Sequence, residues 1–348
     1  MNKISVVIMN LGGPDKTENV KSFLFNLFND PLILRVPKFL RFIIAWFISR
    51  KREQTAIAIY KQIGGKSPLL ENTIAQKKQL FKSLQDEYPD TQFQIEIIMR
   101  YWHPFCKDVM KKIEAFNPDK IILLPLYPQF STTTTMSSVR EFESYFKGSS
   151  SQAKLQVACC YPFEESFIKA YADLVNNYIK QALSKYSKQD IKIIFSAHGL
   201  PEKIIKNGDP YQWQVEESTK LIVSRLEEKD IETINSYQSR VGPVSWIKPF
   251  TDEEIKKAGK AKKAIILVPI SFVSEHSETL VELDIEYKDL AVEFGVLDYY
   301  RVPTLGVNEH FINSLKDITK SLIDNPAIKF YPFKRICDKE FCGCINSN

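Results

Sequence analysis

Short apolar runs recur along the chain, and each stops at proline, glycine or a polar turn. Ile4-Ser-Val-Val-Ile-Met9, Gln94-Ile-Glu-Ile-Ile-Met99, Lys120-Ile-Ile-Leu-Leu-Pro125, Ile191-Lys-Ile-Ile-Phe195 and Ala264-Ile-Ile-Leu-Val-Pro-Ile270 read as strands. Near-continuous apolarity, rather than alternation, predicts strands buried on both faces, as in parallel sheets. Helical stretches such as 71–88 separate them, and strands alternating with helices predict an α/β protein.

The pattern also repeats. Ile4-Ser-Val-Val-Ile-Met-Asn-Leu-Gly-Gly-Pro14 aligns with Ile191-Lys-Ile-Ile-Phe-Ser-Ala-His-Gly-Leu-Pro201, and the strand from Lys120 aligns with the one from Lys263. Two similar Rossmann-like domains with parallel sheets are therefore expected, 1–165 and 166–325, followed by a Cys-containing tail, 326–348. Ligands of such folds sit beyond the carboxyl ends of the strands, often between domains. Asn10, His103, the Thr132–Thr135 run, His198 and His276 all follow apolar strands and are expected to converge on one interdomain cleft.

After the strand ending at Ile270 comes Ser271-Phe-Val-Ser-Glu-His-Ser-Glu-Thr-Leu-Val-Glu-Leu-Asp-Ile-Glu-Tyr287, with one imidazole among many carboxylates. In an α-helix Glu278, Glu282 and Glu286 share one face, with His276 at its entrance. Such stacked like charges destabilise a helix, so a cationic group is expected to offset them. Surface pairing with lysines such as Lys288 is the plain alternative.

Composition narrows the function classes. The chain has 348 residues, 44% of them hydrophobic, and a net charge of +5 with its basic residues dispersed, which gives no nucleic-acid stripe. Six cysteines without a regular framework suit a reducing compartment, and no signal peptide is legible, so a cytoplasmic location is expected. The apolar segment 31–48 is interrupted by Arg35, Pro37, Lys38 and Arg41 and is too broken to span a bilayer. Packing in the core is one reading. The other is an amphipathic lip over 31–52, resting on the membrane face through Phe39, Phe42, Trp46 and Phe47, with Ser49-Arg-Lys-Arg52 toward anionic headgroups. A P-loop, a dinucleotide fingerprint, a Gly-x-Ser-x-Gly elbow and a Cys/His nucleophile are all missing. Histidine with carboxylates suits proton transfer and divalent-metal handling instead.

Seven segments, in order, resemble the ferrochelatases: Leu11-Gly-Gly-Pro14, Tyr60-Lys-Gln-Ile-Gly-Gly-Lys-Ser-Pro68, Met99-Arg-Tyr-Trp-His-Pro104, Leu124-Pro-Leu-Tyr-Pro-Gln-Phe-Ser131, Ser196-Ala-His-Gly-Leu-Pro201, Tyr237-Gln-Ser-Arg-Val-Gly242 and Ser274-Glu-His-Ser-Glu-Thr-Leu280. The resemblance implies insertion of Fe²⁺ into protoporphyrin IX with release of two protons, with no cofactor required for the chemistry. It assigns the metal and proton chemistry to His198 and Glu278, a proton or metal path to His276, Glu282 and Glu286, and porphyrin contacts to Arg52, Tyr60, Ser67, Arg100, Tyr101 and His103. For His103 a packed turn is the other reading.

Some ferrochelatases hold a 2Fe–2S cluster on C-terminal cysteines, and Cys337, Cys342 and Cys344 resemble that set. Such clusters take four thiolates, and Thr132 stands where the animal pattern has its internal cysteine. Cys106, Cys159 and Cys160 are the candidates for a fourth ligand, with zinc or no metal as alternatives. Expected partners are protoporphyrin IX, Fe²⁺ and a membrane surface, with the protein a monomer. The competing functions are a chelatase acting on coproporphyrin or a corrinoid precursor, a non-catalytic tetrapyrrole carrier, and a periplasmic-type binding protein. The apolar lip, the presence of both His198 and Glu278, and the missing leader argue against them in turn.

Overall fold

The computed structural model describes residues 2–346 and forms two compact units. The first runs to Tyr161 and is completed by Leu315–Asp338 and the chain from Cys344; the second is Pro162–Ser314 with Lys339–Gly343. The first unit begins β1 (Lys3–Asn10), α1 (Val20–Phe28), α2 (Lys38–Lys61), α3 (Leu69–Glu87), β2 (Gln92–Met99), α4 (Cys106–Phe116), β3 (Lys120–Pro125), α5 (Thr135–Lys147) and β4 (Lys154–Ala158). The second contains α6 (Glu165–Leu183), β5 (Ile191–His198), α7 (Glu202–Lys206), α8 (Tyr211–Ser224), β6 (Glu232–Gln238), α9 (Thr251–Lys260) and β7 (Ala264–Pro269). A π-helical segment, Glu278–Glu286, then leads into α10 (Tyr287–Glu293) and β8 (Tyr299–Arg301). Finally α11 (Glu309–Asp324) passes from one unit to the other, and β9 (Phe330–Tyr331) joins the first sheet.

Both sheets are parallel throughout, with strand orders β2-β1-β3-β4-β9 and β6-β5-β7-β8. The internal repeat is thus complete: β1 to β4 and β5 to β8 take the same order. The unbroken apolar runs are central strands, with β7 buried along its whole length and β1 at all but its first residue. In each unit the strand order reverses between the two strands that carry the repeat, and the crevice beyond their carboxyl ends is where doubly wound folds bind ligands. His198 is the last residue of β5 and stands at that point in the second unit.

Two expectations change. The tail from residue 326 does not stand apart: Val157 and Ala158 pair with β9, and the C-terminal half of α11 belongs to the first unit. The acidic segment is a π-helix of nine residues rather than an α-helix, with i→i+5 bonds such as Tyr287 N–H to Glu282 O. The wider turn takes more than four residues, and Glu278, Glu282 and Glu286 still run up one side.

Candidate active site

All the groups that can do chemistry at the β5 terminus belong to the second unit. Gly199, just past His198, must be glycine, because a Cβ there would lie 2.8 Å from the Gln238 carbonyl oxygen and 3.2 Å from the Trp246 ring. The close approach lets His198 Nδ1–H donate to the Gly199 carbonyl at 2.6 Å, which turns Nε2 toward Glu278 Oε1 at 3.5 Å. The second oxygen of Glu278 lies 3.2 Å from His276 Nε2, while His276 Nδ1 donates to the Ser274 carbonyl at 3.1 Å. One carboxylate therefore joins two imidazoles. Burial pushes the His198 pKa down, but Glu278 and the Gly199 carbonyl outweigh it and raise it from 6.5 to about 9. Burial likewise opposes the Glu278 carboxylate, yet the two histidines hold it well below the usual carboxylate range.

Glu282 is set differently. Its carboxylate accepts from Ser239 N–H and Tyr287 O–H, both at 2.9 Å, from Gln238 Nε2 at 3.2 Å and from the Ser239 hydroxyl. Ser239 adopts φ 64°, a left-handed conformation that non-glycine residues seldom take, and there its amide and hydroxyl both face the carboxylate. Gln238 is oriented in turn by Ser196, whose hydroxyl donates to Gln238 Oε1 at 2.7 Å. Despite these donors, burial raises the Glu282 pKa, and Glu278 adds to the shift. Glu286, at the far end, is exposed, so the acidic row runs from the β5 terminus to the surface.

The remaining candidates lie in the first unit. Tyr60 and Tyr101 pack with Val20, Phe23, Leu24 and Trp102. Ser67 is drawn close by Gly13, where a Cβ would sit 2.5 Å from both Ser67 Cβ and Oγ and 3.7 Å from Tyr60 Oη. The structure thus groups Tyr60, Ser67 and Tyr101 around the loop after β1. The Arg52 guanidinium lies 5.9 Å over the Phe28 ring. The Arg100 side chain is committed inward, to Ser137 Oγ at 2.7 Å, Asp30 Oδ2 at 2.8 Å and Glu141 Oε1 at 3.1 Å. His103 is exposed, its ring edge-on to Phe105 at 4.4 Å.

The cysteines divide between the units. Cys159 Sγ lies 3.8 Å from Cys344 Sγ, Cys337 also hydrogen-bonds Cys344, and Cys160 hydrogen-bonds Cys159. Hydrogen bonds from Cys159 and Cys337 bring the Cys344 thiol down to about 3, and burial with thiol contacts pushes Cys159 up. Cys342 belongs to the second unit, its Sγ 3.8 Å from the Asn207 carbonyl. Cys106 is buried in the core with Val109 and Ile113, and burial raises its thiol to about 12. Among the described residues no three His, Cys, Asp or Glu side chains are arranged to hold a metal ion.

Sequence reasoning missed Asp30, Gln238, Ser239 and Arg301. Gln238 and Ser239 fall within a quoted segment, but only the fold shows that they hold Glu282.

The doubly wound fold is one that a solved chelatase shares. The solved structure of the sirohydrochlorin chelatase SirB from Bacillus subtilis subspecies spizizenii in complex with cobalt has this fold, at TM-score 0.53 and 11% identity over 94% of this chain and 97% of that one. SirB from Bacillus subtilis with Fe³⁺ matches at TM-score 0.52 and 11% identity, over 94% and 98%. The chain belongs to the ferrochelatase family, whose profile matches residues 3–322. It is 48% identical to the ferrochelatase of Pelagibacter ubique over 99% of both chains, and 51% identical to that of Rickettsia felis over 99% of this chain and 98% of that one.

Proposed function

We propose that the protein inserts Fe²⁺ into protoporphyrin IX, releasing two protons and forming protoheme. The observation that carries this reading is the Glu278 carboxylate bridging His198 and His276 at the end of β5. Imidazole and carboxylate together are of the intermediate hardness that ferrous iron accepts. His198 is the group for the pyrrole proton. At rest it is a cation paired with Glu278. A ferrous ion arriving beside Glu278 disfavours that charge and frees the imidazole to act as a base. Glu286 and Glu282 lead iron in or protons out, and Arg52, Tyr60, Ser67, Arg100, Tyr101 and His103 are the proposed porphyrin contacts. His198→Ala and Glu278→Gln are each expected to lower kcat for heme formation at least about 100-fold, as loss of a positioned acid–base group does. Near-normal turnover of both folded variants would refute the assignment.

The reading extends to the membrane and to the thiols. No helix among the described residues is long and apolar enough to cross a bilayer. Phe39 and Phe47 are nevertheless 78% and 62% exposed, and Arg50 stacks 3.6 Å over the Trp46 ring. We propose that this lip rests on the cytoplasmic face of a membrane, where a poorly soluble porphyrin resides. Cys159, Cys160, Cys337 and Cys344 supply the four thiolates that a 2Fe–2S cluster takes and are linked by thiol hydrogen bonds, although no three of them are arranged as a metal site among the described residues. Anaerobically purified protein should then show a cluster absorbance and, once reduced, an EPR signal, both lost in Cys344→Ser. Iron-free, colourless protein that is fully folded would end that assignment.

A further inference from the structure

The acidic segment and its π-helix need support, and one cation engages two of the segment's carboxylates, Glu275 and Asp284. Residues 275–286 carry Glu275, Glu278, Glu282, Asp284 and Glu286. Repulsion along such a row loosens a helix. π-Helical hydrogen bonding is itself rare and usually confined to a single turn at functional sites, yet here it extends over nine residues.

Arg301, the last residue of edge strand β8, faces this segment. Its Nε and Nη2 donate to the two oxygens of Asp284 at 2.6 and 2.5 Å, and its Nη1 donates to Glu275 Oε1 at 2.6 Å. The Arg301 side chain is 13% exposed and its partners Glu275 and Asp284 are 24% and 32% exposed, so these ion pairs are partly shielded from solvent. Glu275 Oε1 also accepts from Thr304 N–H at 3.0 Å, which ties the segment to the chain just past β8. Two residues earlier on the same face of β8, Tyr299 O–H donates to the Leu283 carbonyl at 2.7 Å, inside the π-helix. The strand is fixed in turn by pairing with β7, Leu267 opposite Arg301.

We propose that Arg301 is a positioning residue that clamps the catalytic segment at both ends and thereby sets where Glu278 and His276 stand. Glu275 immediately precedes His276, whose carbonyl accepts from Leu280 N–H at 2.9 Å and so starts the helix. Asp284 lies between Glu282 and Glu286. Holding those two carboxylates holds the arc between them, on which Glu278 sits. The fork of a guanidinium is essential, because the point charge of a lysine cannot engage three carboxylate oxygens in fixed directions.

The inference rests on the proposed iron insertion for its kinetic test but not for its structural one. Wild type, Arg301→Gln, Arg301→Lys and Asp284→Asn are compared by backbone hydrogen exchange and by kcat and KM for protoporphyrin. Exchange in peptides covering 275–287 is expected to speed up about tenfold or more in Arg301→Gln while β7 peptides keep their protection. In the same variant kcat falls about tenfold or more with KM within about twofold, because displaced catalytic groups lose transition-state rather than ground-state contacts. Arg301→Lys follows Arg301→Gln in both readouts. Unchanged exchange and kcat in the folded variants would overturn the proposal, as would loosening spread evenly over the second unit. Should Arg301→Gln fail to fold, Asp284→Asn, which keeps the shape and removes one charge, decides by the same two readouts. A wild type that forms no heme would count against iron insertion, while the exchange data would still judge the clamp.

Discussion

His198 and Glu278 shift each other's proton affinity in opposite directions, and the pH behaviour of the site follows from that pair. His198 is raised from 6.5 to about 9, so the stabilisation it lends is complete below about pH 6.5 and is lost as the pH rises through about 9. Imidazole NMR should place the His198 titration near 9 in the free protein and return it toward 6.5 in Glu278→Gln. The stability lost between those pH values should shrink in the same variant. A His198 titration that stays near its wild-type value after the substitution would show that Glu278 is not its partner. Both residues were legible in the sequence, since a histidine at a strand end and a glutamate after another strand are visible as such. Their partners were not: the Gly199 carbonyl that aims the imidazole, and Ser239 and Gln238 that hold Glu282, depend on backbone conformation and register.

At the scale of elements, the acidic segment shows where periodicity stops informing. A spacing of four suggests an α-helix, and nothing in the pattern of glutamates distinguishes i→i+4 from i→i+5 bonding. The need for a cation was readable from the repulsion, but its sources were not: His198, at the end of a neighbouring strand, and His276 face Glu278, while Arg301, on another strand, pairs with Glu275 and Asp284. Aromatic and basic residues interleave over 31–52, and in the structure Phe39, Phe42, Trp46 and Phe47 lie exposed on the first half of α2. A variant with Phe39, Phe42, Trp46 and Phe47 replaced by serine should keep its fold, since Phe39, Phe42 and Phe47 are exposed and Trp46 nearly so in area, at 38%. It should lose most of its sedimentation with anionic liposomes. Binding equal to wild type would refute the membrane reading.

Across the whole molecule, the repeat carried the most information. Two aligned strand pairs were enough to expect two similar parallel-sheet units, and the structure extends the correspondence to all four strands of each sheet core. The end of the chain was not legible in this way. Its short strand β9 has only two residues, too few for a pattern, and the placement of Cys337 and Cys344 beside Cys159 arises from long-range folding. Purified protein should be incubated anaerobically with Fe²⁺ and either protoporphyrin IX or coproporphyrin III, following loss of porphyrin fluorescence and growth of heme absorbance. Turnover is expected with protoporphyrin IX in clear preference to coproporphyrin III. Preference for coproporphyrin III, or tight porphyrin binding without metal insertion, would contradict it.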